Sequence, residues 1–169
     1  NDGLSNFQID EMMKPYGNRY IGCIAHDQII SSIVPNVKPL SEGCFVMNLD
    51  NHNKGGSHWV AVYFDGKSKK EIDYYDIFGE PADKQTMKGI KSLADKLNAN
   101  TYLKFKENKI QKQDDRSSNC GFFAIKFCID MLNGKHFTYA SGYDDHINGE
   151  RDINQFKKQP LLHRQLETK

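Results

Sequence analysis

The spacing of apolar and polar positions divides the chain into a series of compact elements. Near the start, Phe7, Ile9, Met12 and Met13 supply the apolar contacts of a short amphipathic helix over Ser5 to Met13. Ser5 or Asn6 caps it, Asp10 and Glu11 suit its first turns, and Pro15 with Gly17 stops it. Between Gly22 and Pro39 two readings stay open. Ile29, Ile30, Ile33 and Val34 fit one helical face closed by Pro35, and an irregular apolar loop fits as well. Cys44 to Leu49 reads as a buried strand, and His58 to Phe64 as a strong one, rich in aromatic and β-branched residues. Asp65-Gly66 is turn-like, so Glu71 to Tyr75 returns as the second strand of a hairpin. Asp83 then caps a helix to about Asn98, with Met87, Ile90, Leu93, Ala94 and Leu97 on one face. Thr101 to Phe105 and Lys109 to Gln113 read as two shorter strands.

Cys120 to Asn133, ended by Gly134, is the most apolar helix candidate. Only Lys126 and Asp130 in it are charged, and a helix apolar almost all round belongs at the centre of a fold. Asp50 to Ser57, Asp76 to Asp83 and Asp114 to Asn119 read as loops, as does Tyr139 to Gly149. The tail from Arg151 is polar with little periodicity. There is no internal repeat, low-complexity tract or linker, so residues 1–169 are expected to form one domain. The fold class expected is α+β: a mixed, mostly antiparallel sheet packed on the central helix that begins at Cys120.

Composition narrows the classes of function. Apolar residues make up 38% of the 169, which is enough for a real core. Lys and Arg (23) almost balance Asp and Glu (22), so no charge excess marks nucleic acid or a membrane as the main partner. The longest apolar runs fall far short of the ~20 residues of a membrane helix. Asn1 to Phe7 lacks the basic start and apolar core of a signal peptide, so secretion is not expected. The chain opens on Asn1 rather than Met, as a processed or trimmed chain would. Four cysteines (Cys23, Cys44, Cys120, Cys128) form an even set, yet none shares CxxC spacing, and no metal site is expected.

One of the four is placed for chemistry. Cys120 sits where a polar loop meets the N-terminus of the buried helix, whose dipole and free N–H groups favour a thiolate. Gly121 behind it allows close backbone approach by a substrate. Cys44 and Cys128 read as buried structural thiols, and Cys23 fits either role. A cysteine nucleophile needs a base and a group to orient that base. His58 opens the strong strand after Gly55-Gly56-Ser57, and Asp76 ends its antiparallel neighbour, so the two are expected side by side. Taken singly, the His reads as a surface or packed side chain and the Asp as a turn residue. Gln113, seven residues before Cys120, can donate to a developing oxyanion together with the Cys120 N–H. Trp59, the only Trp, walls the cleft or sits in the core. His26-Asp27 points to opposite faces of an extended stretch, and Asp144-Asp145-His146 with His136 has no metal-ligand spacing. Small lysine clusters at 67, 69 and 70, at 104, 106, 109 and 112, and at 157 and 158 read as solvated faces.

Each signal is weak alone, but the ordered set resembles the adenovirus-type cysteine protease family (adenain), within the wider group that processes ubiquitin-like modifiers. The segments that carry it are Gly55 to Trp59, Tyr74-Tyr75-Asp76-Ile77-Phe78-Gly79, and Gln113 through Asn119-Cys120-Gly121. Tyr20 to Asp27 and Gly43 to Asp50 are similar to segments of virophage and Maverick/Polinton proteases. The resemblance spans roughly Leu4 to Leu132 and implies an adenain-like, papain-like protease fold. It implies Cys120 as nucleophile, His58 as base and acid, Asp76 as orienting carboxylate and Gln113 as oxyanion donor, with Trp59 beside the catalytic His. It further implies cleavage of viral capsid or structural precursors near Gly-containing sites, in the virion and the infected cell, by a monomer. No cofactor is required for the chemistry; a short peptide or DNA is a candidate activator by family precedent. Removal of ubiquitin or a similar modifier is the alternative, although Asn119 stands where modifier proteases often carry Asp. A non-enzymatic nucleic-acid-binding particle protein using the lysine clusters is the third reading.

Overall fold

The computed structural model describes residues 3–49, 58–109, 119–142 and 156. Five strands form one sheet in the order β1-β2-β3-β4-β5: Tyr20–Ala25, Glu42–Asn48, Trp59–Asp65, Glu71–Tyr75 and Lys104–Glu107. The two central pairings, β2 with β3 and β3 with β4, are antiparallel; the edge pairings β1 with β2 and β4 with β5 are parallel. The fold is thus the mixed α+β architecture expected, antiparallel at its centre. Parallel neighbours need a crossover. Between β4 and β5 it is the helix α2, Lys84–Asn98, capped by the Asp83 side chain on Thr86 N. Between β1 and β2 it is a π-turn at Ile29–Ile33 followed by a 3-10 turn at Val34–Asn36.

Every residue of β3 is buried, because both faces of the sheet are covered. Trp59, Ala61 and Tyr63 face α1 (Asn6–Met13) and α3 (Cys120–Leu132). Val60, Val62 and Phe64 face α2 and the π-turn, where Ile90, Leu93, Leu97, Ile29 and Ile33 meet them. Gly89 is needed on α2, since a Cβ there would come within 2.6 Å of the Ile29 Cβ. α3 is buried on almost every side, with Phe127 stacked 4.8 Å from the Tyr75 ring. This burial is what fixes the start of α3 against the sheet, and with it the position of Cys120.

Several expectations need correction. Ser5 caps α1 through a capping box with Gln8, but Phe7 is 67% exposed and contributes nothing to the core. Ile30 also points outward, because in the wider π-turn only Ile29 and Ile33 share the inner side. β1 was not expected: Gly22, at φ 148°, and a register shift between Tyr20 and Gly22 interrupt its strand pattern. A short helix α4, Phe137–Ala140, takes up part of a stretch read as loop. The strand expected over 109–113 lies, from 110 onward, outside the described residues, as does the loop at 50–57. No helix among the described residues is long and apolar enough to cross a membrane.

Candidate active site

The hairpin brings His58 and Asp76 together. Its register, Ala61 opposite Tyr75 and Asp65 opposite Glu71, runs on to set the residues before β3 beside those after β4. His58 Nε2 lies 2.8 Å from Asp76 Oδ1. The Cys120 side chain is hydrogen-bonded to the same ring. The imidazole also stacks on Phe78, with ring centroids 4.7 Å apart. Hydrogen bonds to Asp76 and Cys120 and an aromatic face beneath hold the ring in one orientation.

Asp76 is 1% exposed, yet its polar atoms are well supplied. Oδ1 accepts from Phe78 N at 2.9 Å as well as from His58. Its main-chain N–H donates to Asn108 Oδ1 at 2.9 Å, and Asn108 Nδ2 donates to its carbonyl at 2.6 Å. Gly79 N closes the turn onto the same carbonyl at 2.8 Å. The charge acts strongly on His58. Burial pulls the His58 pKa down, but hydrogen bonds to Asp76 and Cys120, with their charges, outweigh it and raise it to about 9.

Cys120 is the first residue of α3 and 6% exposed, with the positive end of the helix dipole at its sulfur. Two other thiols are held in the protonated form. Burial, followed by the neighbouring Cys128, holds the Cys44 thiol well above its ordinary value. Burial, then Asp10, pushes Cys23 up to about 12. None of the four cysteines is in a disulfide. Cys23 is half-buried and lines a cleft of about 400 Å³ with Trp59, Asn48, Gln28 and Ser5.

Trp59 forms one wall of that cleft and is 5% exposed, its indole N–H donating to Leu4 O at 3.0 Å. It also explains Gly121. A Cβ there would meet Trp59 Cδ1 at 3.1 Å and Leu4 Cβ at 3.2 Å, so the missing side chain makes room for protein packing. That is a different reason from the substrate approach expected. Gln113 lies outside the described residues. His26 approaches Asp83 at 3.9 Å, not Asp27. Phe78 and Asn108 were not anticipated as parts of the site. Phe78 follows from the hairpin register carried three residues past β4, whereas nothing local marks Asn108, which arrives from β5.

The chain shares its fold with solved structures of cysteine proteases. A protease of ASFV is 16% identical and superposes with a TM-score of 0.72, covering 92% of this chain and 66% of its own. The SUMO protease Ulp1 is 12% identical, with a TM-score of 0.55 over 96% of this chain and 78% of its own. In sequence, the chain is 31% identical over 150 residues to a protein of Acanthamoeba polyphaga mimivirus named as a candidate thiol protease. That match takes in 79% of this chain and 49% of the mimivirus protein, so the chain spans about half the length of this relative. No family model matches the chain.

Proposed function

We propose that the protein is a cysteine endopeptidase with Cys120 as nucleophile, His58 as base and acid, and Asp76 as the carboxylate that orients His58. The observation that carries this reading is the hydrogen-bonded chain from Asp76 through His58 to Cys120 at the head of α3. At about 9, His58 is protonated at neutral pH; in this reading Cys120 reacts as the thiolate. The thiolate attacks the scissile carbonyl carbon, forming a C–S bond and an oxyanion. The Cys120 N–H and the Gln113 amide receive that oxyanion, the latter on family resemblance alone. His58 gives its proton to the leaving amine as the C–N bond breaks. The neutral ring then takes a proton from water, whose hydroxide displaces the sulfur and releases the acid product. This chemistry calls for no metal or organic cofactor.

The substrates proposed are viral structural precursors, cut near Gly-containing sites during particle maturation. The protein would act as a monomer in the virion and infected cell, with DNA or a short peptide as candidate activators. The similarity to a mimivirus protein and the adenain-like segments support a viral setting. The fold shared with Ulp1 favours a second reading, removal of a ubiquitin-like modifier. Co-expression with the capsid proteins of the same genome, and parallel incubation with modifier fusions, separates the two. We expect new termini in the capsid precursors, located by mass spectrometry, and none with Cys120→Ala. Full cleavage by Cys120→Ala overturns the site, and cleavage of modifier fusions alone overturns the substrate.

A further inference from the structure

β4 and β5 pair in parallel as far as Tyr74 opposite Glu107, and there the backbone ladder ends. One residue beyond, the Asn108 side chain takes over. Its amide offers the donor and acceptor of a peptide group, and it bonds both main-chain groups of Asp76, at 2.9 and 2.6 Å. Asn108 is 1% exposed, so both bonds are made away from water, where losing the first leaves the Asp76 N–H unsatisfied and losing the second leaves its carbonyl to Gly79 N. The Asp76 carboxylate cannot be aimed until the direction of its Cα–Cβ bond is set. The turn amide Phe78 N and the ring of His58 act on the carboxylate itself, while Asn108 and Gly79 N fix the backbone that carries it.

We infer that Asn108 is a positioning residue for the active site: its side-chain amide extends the sheet by one residue and thereby holds Asp76 in line with His58. This rests on the triad proposed above. This one side chain bonds both main-chain groups of Asp76. Asp at this position would set an oxygen against the Asp76 carbonyl where Nδ2 now donates, and would add a second buried negative charge beside the first. Leu has the same branching of heavy atoms as Asn, with bulkier ends, and makes neither bond.

The test is steady-state cleavage of a peptide substrate by wild type, Asn108→Leu, Asn108→Ser and Cys120→Ala, with the His58 ring titrated by NMR in Cys120→Ala with and without Asn108→Ser. Asn108→Leu is expected to lower kcat by roughly ten- to a hundredfold while KM moves less than about twofold, because small misplacements cost rate rather than binding. The His58 titration midpoint is expected to fall in Asn108→Ser, since a carboxylate free to turn away supports the imidazolium less. A merely structural loss would lower thermal stability without moving that midpoint. Wild-type kcat in a folded Asn108→Leu, or an unmoved His58 midpoint in Asn108→Ser, overturns this inference. Should Asn108→Leu fail to fold, the Asn108→Ser titration decides. Activity remaining in Cys120→Ala would instead sink the triad itself, so the two failures are told apart.

Discussion

The β3–β4 hairpin carries a buried aspartate at each end, and the two serve different ends. Asp65, 6% exposed, points its carboxylate into the turn and accepts from Lys67 N, Ser68 N and Lys69 N at 2.9 to 3.2 Å. All of its partners are backbone amides of its own turn. Asp76, 1% exposed, gives one oxygen to both Phe78 N and His58, and its backbone is held from another strand by Asn108. One carboxylate stabilises a turn and ends there; the other passes its charge to a titratable ring that faces a thiol. Burial and residue type are the same at both ends, so neither marks function. The partner does, and in particular whether that partner can itself gain or lose a proton.

The comparison is broken most directly by changing each aspartate in turn. Asp76→Asn is expected to lower kcat/KM by about a hundredfold or more, because the neutral amide neither orients the required His58 tautomer nor supports its charge. The pH profile should change with it. In the wild type His58 titrates at about 9, so activity is expected to fall as pH rises past that point. Without the Asp76 charge the alkaline fall should move to lower pH. The same raised value stabilises the fold. That contribution is complete below the ring's unfolded value near 6.5 and is lost as pH rises through about 9. Asp76→Asn with wild-type kcat/KM and an unmoved alkaline limb would show that this end of the hairpin is no more functional than the other.

Asp65→Ala is the matching change at the far end. Three backbone amides lose their acceptor, which should cost about 1–3 kcal/mol of stability, measured by urea denaturation. Activity per folded molecule should stay within about twofold, since the turn lies at the end of the hairpin away from His58. A large loss of kcat there, with the fold intact, would erase the distinction between the two ends.

Both ends of this hairpin could be read in the sequence because the signals were local. Asp65-Gly66 marks a turn, and an antiparallel pair that returns across it must set the start of one strand beside the end of the next. His58 and Asp76 follow from that geometry. The start of α3 was equally legible, since few helices are apolar on every side. What could not be read came from distant pairing. β1 pairs in parallel across a crossover, with Gly22 breaking its pattern and no residue of it fully buried. Asn108 reaches Asp76 across 32 residues, and a lone Asn at a strand end looks like any turn residue. Gly121 could be singled out in the sequence but not for its packing, because the side chains that crowd a Cβ there, Trp59 and Leu4, come from elsewhere.

A third aspartate on the same hairpin sharpens the contrast further. Asp73, between the two in β4, is wholly buried, with the Glu71 carboxyl beside it as its hydrogen-bond partner. Burial first, and then the neighbouring Glu71 carboxylate, pushes its pKa up to about 9, so it is protonated at neutral pH. Glu71 keeps its charge: although burial opposes this, Asp73 and Lys106, the latter 3.2 Å away, hold its pKa below the ordinary range. An aspartate forced to take up a proton on folding makes the fold less stable as pH rises from about 4 to about 9. Asn in its place is already neutral and nearly the same shape. Asp73→Asn is therefore expected to be modestly more stable than the wild type at pH 7, with a flatter decline toward alkaline pH. The measurement is the melting temperature across that range. Equal slopes for the two proteins would mean that Asp73 is ionised in the fold, and that two carboxylates can be buried side by side in this hairpin.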